Sequence, residues 1–297
     1  MHAHASVARL DGATVLIGRG REFAAESSAG LLSVKCVLDG AAVWRTGGRE
    51  FVLRSNAYLV LNDRQPYSIH IDSPAAPATT FCVFFSRGFV EDVSRTLANP
   101  VERLLDEPAP AAPIEFTQTM VPFSRAMRAA VARLRAGVAA DGDDPDLVTA
   151  LAATLVADHR GGANCVDRLD AIKASTRAEV CRRLLRGRDY LLSCQDRRVT
   201  LSEAARQACL SPYHFHRAFV AAFGTTPHRF IVEQRLLLAA SMLAAGGRPV
   251  GDVCADTGFA SAGSFSTLFR RRFGVSPRAF RASQNRKIGE EAVEPPR

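Results

Sequence analysis

Two hydrophobic rhythms succeed one another along the chain. Across residues 5–118, apolar positions come in short runs or alternate with polar ones, at 31–38, 41–44, 49–53, 57–61, 67–71 and 79–85. Asp39-Gly40, Gly47-Gly48, Asn62-Asp63 and Pro74 stand between them. Short alternating segments bounded by turn residues predict strands, and several at this spacing predict a β-barrel or jelly roll. From residue 88 the period lengthens to that of a helix, over 88–106, 120–139 and 145–160. Met127, Val131, Leu134 and Val138 recur at 4-3-4 spacing, and Leu147, Leu151 and Leu155 share a face. Such stripes usually face a core, but two helices carry more apolar surface than one barrel wall needs, so a helical dimer contact is also expected. Gly161-Gly162-Ala163-Asn164 predicts a linker, and a helix follows over 165–193.

The last third of the chain repeats itself. Phe219-x3-Phe223-Gly224-x-Thr226-Pro227-x2-Phe230 returns as Phe269-x3-Phe273-Gly274-x-Ser276-Pro277-x2-Phe280, at an offset of 50 throughout. Upstream, Ser211 pairs with Ser261, Phe215 with Phe265 and Ala205 with Ala255. In the first copy 201–208 has helical spacing with Thr200 or Ser202 as cap, Cys209-Leu210 is a turn, and Ser211-Pro212 opens a second helix. Phe215, Phe219 and Phe223 give that helix one buried face, and Gly224 ends it. The second copy runs 250–256, a turn at Thr257-Gly258-Phe259, then 261–273 and Gly274. Two short helices across a tight turn form a helix-turn-helix, whose second helix fits a DNA major groove. The segment 227–245 predicts a longer helix that sets the spacing of the two units.

The residues left off the apolar faces are the candidates for DNA contact. They are Tyr213, His214, His216 and Arg217 in the first unit, and Ala262, Gly263, Ser266, Thr267, Arg270 and Arg271 in the second. Arginine can pair with guanine O6 and N7, and tyrosine and histidine can bond to bases or phosphates. The second face is small and neutral near its start, which predicts more weight on backbone contacts and DNA shape.

Charge supports this division. Residues 165–297 hold 22 Lys+Arg against 12 Asp+Glu, net +10, whereas the preceding part is near neutral. A strongly basic half implies a polyanionic partner, with nucleic acid first and an anionic membrane surface as competitor. Only Lys35, Lys173 and Lys287 are lysines. No apolar run is long enough to cross a bilayer, and the start has no secretory pattern, so a cytoplasmic, nucleoid-associated protein is expected. Seven scattered cysteines without a C-x-x-C pair suit reduced thiols.

Residues 177–283 resemble the DNA-binding domain of the AraC/XylS transcription regulators. The likeness is carried by Leu201-Ser202-Glu203-Ala204-Ala205, Ser211-Pro212-Tyr213-His214-Phe215, Gln234-Arg235-Leu236-x2-Ala239, Gly258-Phe259-x5-Phe265-Ser266-x2-Phe269 and Phe273-Gly274-Val275-Ser276-Pro277-x2-Phe280-Arg281. The resemblance implies that each second helix lies in the major groove and that the two meet successive turns on one DNA face. It points to Tyr213, His216 and Arg217, and to Ala262, Gly263, Ser266 and Thr267. The family often has arginine where this chain has Thr267.

The N-terminal half resembles the cupin-like effector domain found in front of many such DNA-binding domains. It holds His2, His4, His70 and His159, of which only His70 is read on a strand, with His2-Ala-His4 in a tail. No metal site, cofactor or catalytic set is expected, and the chain is not expected to be an enzyme. Trp44, Tyr58, Tyr67 and His70 are candidates to line a small-molecule pocket, with core or rim roles equally open to Trp44 and Tyr58.

The resulting expectation is an α+β chain. Residues 1–164 form a cupin-like β-barrel with dimerisation helices. Residues 165–288 form an all-α DNA-binding domain with helix-turn-helix units at about 199–224 and 249–274, joined by a linker helix, and 289–297 are a disordered tail. The expected function is a homodimeric, ligand-responsive activator working on promoter DNA with RNA polymerase. The alternatives are an architectural or constitutive DNA binder, and a cupin enzyme fused to a DNA-binding domain.

Overall fold

The computed structural model describes residues 4–74, 76–99, 111–140, 142, 144–169 and 174–291. The chain divides into two compact units, Met1–Asp170 and Ala171–Arg297.

The N-terminal unit is built on two antiparallel sheets. Strands β1 (His4–Leu10), β2 (Ala13–Gly20), β4 (Ser33–Asp39), β7 (Ala57–Leu61), β9 (Ala78–Phe85) and β10 (Met120–Pro122) form one, in the order β1-β2-β9-β4-β7-β10. Strands β3 (Glu22–Ser27), β5 (Ala42–Thr46), β6 (Arg49–Leu53) and β8 (Tyr67–Asp72) form the other, ordered β3-β8-β5-β6. Helices α1 (Phe89–Ala98), α2 (Arg125–Ala139) and α3 (Pro145–Asp167) complete the unit.

The six-stranded sheet is buried on both faces, because successive side chains of a strand point to opposite sides. Val15, Val34, Cys36, Tyr58, Val60, Phe81, Val83 and Phe85 pack against Met127, Val131, Leu134, Val148, Leu151 and Leu155 of α2 and α3. The alternate set, including Leu16, Lys35, Thr80, Cys82 and Phe84, faces a cavity shared with the four-stranded sheet. This double burial is why β7 reads as an unbroken apolar run. The helical stripes therefore meet their own barrel wall, and surplus apolar surface gives no independent argument for a dimer contact.

Four expectations change. Residues 120–122 are a strand, Met120 lying opposite Leu59, and the helix starts only after Ser124, whose hydroxyl accepts the Met127 N–H at 3.0 Å. Pro122 biases the residue before it toward extended backbone, which suits a strand end and not a helix. The expected linker 161–164 lies inside α3, which ends at Asp167, and the next helix, α4, spans Ala174–Ser193. A glycine costs a helix only about 1 kcal/mol, too little to stop one already anchored by Val148, Leu151 and Leu155. His4 is on β1, not in a tail. The last helix runs through to Glu291, past the expected start of the tail at 289, while 292–297 lie outside the described residues. The first helix is described to Ala98; residues 100–106 of its expected extent lie outside the described residues.

Leu151 is fully buried between helix and sheet. Leu151→Ala is expected to lower the unfolding free energy of this unit by about 2–5 kcal/mol. Denaturation followed by the fluorescence of Trp44, the single tryptophan of the chain, reads that loss.

Candidate nucleic-acid interface and barrel cavity

In the C-terminal unit, α4 is followed by α5 (Leu201–Gln207), α6 (Pro212–Phe223), α7 (Pro227–Ala244), α8 (Val250–Asp256), α9 (Ala262–Phe273) and α10 (Pro277–Glu291). The α5/α6 and α8/α9 pairs are the two helix-turn-helix units. Thr200 is the first cap: its hydroxyl accepts the Glu203 N–H at 3.2 Å while the Glu203 carboxylate accepts the Thr200 N–H at 2.7 Å. These bonds from Thr200, with Arg197 beside them, hold the Glu203 carboxyl down to about 2. Ser211 accepts the His214 N–H at 3.3 Å, and Ser261 accepts the Ser264 N–H at 3.2 Å. The aromatic cores repeat as well. Phe219–Phe223 and Phe269–Phe273 centroids are both 4.5 Å apart, and Phe219–Phe230 and Phe269–Phe280 are 5.7 and 5.5 Å apart.

The duplication changes offset within each turn. Leu210 N–H bonds to Ala205 O and Cys209 N–H to Arg206 O, while Phe259 N–H bonds to Cys254 O and Gly258 N–H to Ala255 O. The first helices therefore correspond at an offset of 49 and the second helices at 50, the later turn being one residue longer. Ala205 matches Cys254, not Ala255 as the uniform offset suggests. Each turn passes through a left-handed residue, Cys209 (φ 51) in one and Gly258 (φ 67) in the other. A bond from the residue after it to the carbonyl five back is the usual way to close a helix end.

Gly258 sits where no side chain fits. A Cβ there would lie 2.7 Å from Gln195 O and 3.1 Å from Arg197 N, both backbone atoms. The same 195–197 loop is held from α7: Arg235, largely buried, donates its Nε–H to Gln195 O at 3.0 Å and a terminal N–H to Arg197 O. Burial lowers the Arg235 pKa, opposed by Asp196 and Cys194. The loop leading into the first unit is thus fastened to the linker helix and pressed against the turn of the second.

The outward faces differ. On α6, Tyr213, His214, His216 and Arg217 are all exposed, Tyr213 by 71%. The Arg217 guanidinium lies 5.6 Å from the Tyr213 ring centroid, one turn away. On α9, Ala262, Gly263, Thr267, Arg270 and Arg271 are exposed and Ser266 is half-buried. At an offset of 50, Gly263 and Thr267 occupy the places of Tyr213 and Arg217, and Arg270 and Arg271 those of Val220 and Ala221. The charge has moved toward the C-terminal half of the helix. Arg272 is not free to extend it, being paired with Glu233 of α7 at 2.6 Å.

The second site is the cavity between the two sheets, about 160 Å³ in volume. Trp44 and Tyr67 line it, with Leu16, Ile69, Ile71 and Phe84 among the walls. Tyr58 and His70 do not. Tyr58 is on the opposite face of the six-stranded sheet, with its hydroxyl bonded to Asp158 at 2.9 Å. His70 falls between the inward-facing Ile69 and Ile71, so alternation turns it outward. Sequence reasoning missed Lys35, at the centre of β4 opposite Cys82 and Leu59. It is 1% exposed, its Nζ 3.7 Å from the Phe84 ring centroid, 4.5 Å from that of Tyr67 and 3.4 Å from the Tyr67 hydroxyl oxygen. A charged residue amid the apolar run 31–38 was the available signal. Among the described residues no group of three His, Cys, Asp or Glu side chains is placed to hold a metal ion.

Burial pulls Lys35 from its ordinary 10.5 down to about 8, with Cys82 and Cys36 opposing. Between these values the unfolded chain carries a proton that the folded chain has released. Stability of the barrel therefore rises with pH across that window, by a total on the order of 3 kcal/mol from this group. In urea titrations followed by Trp44 fluorescence, wild type is expected to gain stability from about pH 7.5 to about pH 9.5. Lys35→Met should start higher and lack this rise; an equal rise in both would place the titration elsewhere.

For the two turns opposite effects are expected. Gly258→Ala should cost the C-terminal unit more than about 2 kcal/mol, because backbone must move. Cys209→Gly should stabilise it by about 0.5–1 kcal/mol by removing left-handed strain. Helical circular dichroism during denaturation measures both.

Comparison with known proteins agrees with this layout. Residues 1–160 match the family model described as an AraC-binding-like domain, and residues 204–283 match that of a helix-turn-helix domain. The probable transcriptional regulator LumQ of Photobacterium leiognathi is 33% identical over 89 residues, 30% of this chain and 36% of the relative. The HTH-type transcriptional activator RhaS of Klebsiella pneumoniae (strain 342) is 36% identical over 87 residues, 29% of this chain and 31% of the relative. The chain thus spans about a third of the length of these curated relatives. Among solved structures, ToxT from Vibrio cholerae aligns over 91% of this chain and 98% of its own, at 12% identity and a TM-score of 0.37. The DNA-binding domain of AdpA, a global transcriptional factor solved with a target DNA, aligns over 35% of this chain and 94% of its own, at 28% identity and a TM-score of 0.34. With one family model over more than half of its length and a helix-turn-helix model behind it, the chain belongs to the AraC/XylS family of transcription regulators.

Proposed function

We propose that the chain is a sequence-specific regulator of transcription that binds promoter DNA as a homodimer and answers to a small molecule held in its barrel. The observation that carries the DNA part is the outward face of α6, where Tyr213 and Arg217 stand exposed and stacked, opposite the buried face of Phe215, Ala218, Phe219 and Ala222. A solvated arginine face is the ordinary fate of such residues. Two capped helix-turn-helix units on a part of net charge +10 make a duplex contact the better account.

The two helices divide the work. Arg217 reads a base edge, supported by Tyr213 and His216, with His214 toward the phosphates. On α9 the short side chains of Ala262, Gly263, Ser266 and Thr267 let the helix approach closely, and Arg270 and Arg271 hold the backbone. The barrel binds the effector; ligand shifts the protein toward an arrangement that recruits RNA polymerase, which it can do only by binding the two arrangements with different affinity. Dimerisation rests on the family resemblance. The site is cytoplasmic, on the nucleoid, and no catalytic step is assigned.

The test is genome-wide mapping of binding sites with purified protein and fragmented genomic DNA, wild type beside Arg217→Ala. A short motif repeated next to promoters and lost in the variant is expected. Sites with no shared motif, or an unchanged variant, would turn the reading toward an architectural binder. On one mapped site, Arg217→Ala should cost about 1–3 kcal/mol and relax the preference at a single base pair, while Arg270→Ala should weaken all sequences alike and lower the salt slope by about 1.

A further inference from the structure

The barrel cavity presents one electrostatic anomaly. Its walls are largely apolar and aromatic, yet the buried Lys35 ammonium lines it. An ammonium has three donors, and here the described partners are the Tyr67 hydroxyl and two ring faces. Lys35 makes no ion pair among the described residues. The one carboxylate residue in the lining, Glu26, is exposed. Burying an unpaired charge is costly, and such a group persists where something else completes it. Leucine or methionine would fill this position with a gain in stability, so the lysine is not explained by the fold.

We infer that the cavity binds a small monocarboxylic acid with an apolar body, its carboxylate seated on Lys35 and Tyr67. The inference rests on the ligand-responsive reading above and gives it a chemical class. The anion completes the ammonium. The Tyr67 hydroxyl accepts from Lys35 and lies beside the Ser27 side chain, and it can turn its own hydrogen to a second carboxylate oxygen. One buried cation matches one negative charge; a phosphate ester would leave charge uncompensated, and a sugar would leave the apolar walls against hydroxyl groups. The size is bounded too. The cavity is about 160 Å³, and a dry protein cavity of about 150 Å³ accommodates benzene, so the body is a single ring or a short branched chain. Trp44, Ile69 and Ile71 supply the surface for it.

The experiment uses the full chain and three defined probes: phenylacetate, cyclohexanecarboxylate and hexanoate, each beside its primary amide. Binding is measured by calorimetry and by the shift of the Trp44 unfolding midpoint. At least one acid is expected to bind, with its amide about tenfold or more weaker. Lys35→Met should lose the preference for acid over amide while keeping an equal or higher midpoint without ligand, and Tyr67→Phe should weaken the acid less. Amides that bind as tightly as acids, a Lys35→Met protein that retains the preference, or no binding by any acid would each overturn the inference. Promoter binding measured in the same preparations separates it from the broader reading. Specific DNA binding with no acid bound defeats this ligand class alone, whereas acid binding without any change in DNA occupancy or transcription defeats the effector role and leaves the site standing.

Discussion

The C-terminal unit turns on the buried Arg235 guanidinium. Two helix-turn-helix units on one chain are useful only if their second helices keep a fixed separation, and short helices of seven and twelve residues cannot set it themselves. Arg235 projects from the linker helix and takes the Gln195 and Arg197 carbonyls. Gly258 closes the joint from the other side, its missing side chain letting the second turn rest on the same loop. Gln195 is itself tied back to Leu192 of α4 at 2.7 Å. Loop, linker helix and second turn thereby share one set of backbone contacts. Local strength alone, in caps and phenylalanine stacks, would have produced two good units with a loose hinge.

The barrel is governed by a different constraint. A sheet buried on both faces must fill one with helices and the other with something else. Helices α2 and α3 take the face carrying Val34, Cys36 and Val83. The face carrying Lys35, Cys82 and Phe84 meets the second sheet only partly, and the remainder is the cavity. The placement of a cation there runs against the burial that stabilises everything around it. That conflict between local stability and local chemistry, in a fold otherwise consistent with its sequence, is the observation on which the proposed ligand site rests.

Much of this was legible in the chain. The phenylalanine repeat gave the helix-turn-helix units, their caps and their outward faces, because 3.6-residue periodicity and capping are local rules. The strands from β4 to β9 were legible as apolar runs. Strands β1 and β3 were not: both are mostly exposed, so their side chains carry no buried-face pattern. The outward direction of His70 was readable from alternation with Ile69 and Ile71, whereas the side taken by Tyr58 was not, since every residue of β7 is buried. Arg235 is marked in the sequence only as part of the Gln234-Arg235-Leu236-x2-Ala239 segment that carries the family likeness. Its role depends on a loop 40 residues earlier in the chain, and no local rule reaches that far.

The same backbone twice, with different side chains, is a way to separate grip from reading. At matched positions the first unit has Tyr213 and Arg217 where the second has Gly263 and Thr267, and the second has Arg270 and Arg271 where the first has Val220 and Ala221. If both helices read bases strongly, non-cognate sites matching either one alone would compete. If neither did, only shape would distinguish sequences. In the division proposed above, a reading helix held rigidly beside a gripping helix avoids both problems. Once one is placed, the other meets the duplex at high effective concentration, so even modest phosphate contacts add fully to affinity. That addition requires the joint at Arg235 to be stiff. A flexible linker would give up part of it to the entropy of finding the second groove, and the buried guanidinium spans the two units at the point where that entropy would otherwise reside.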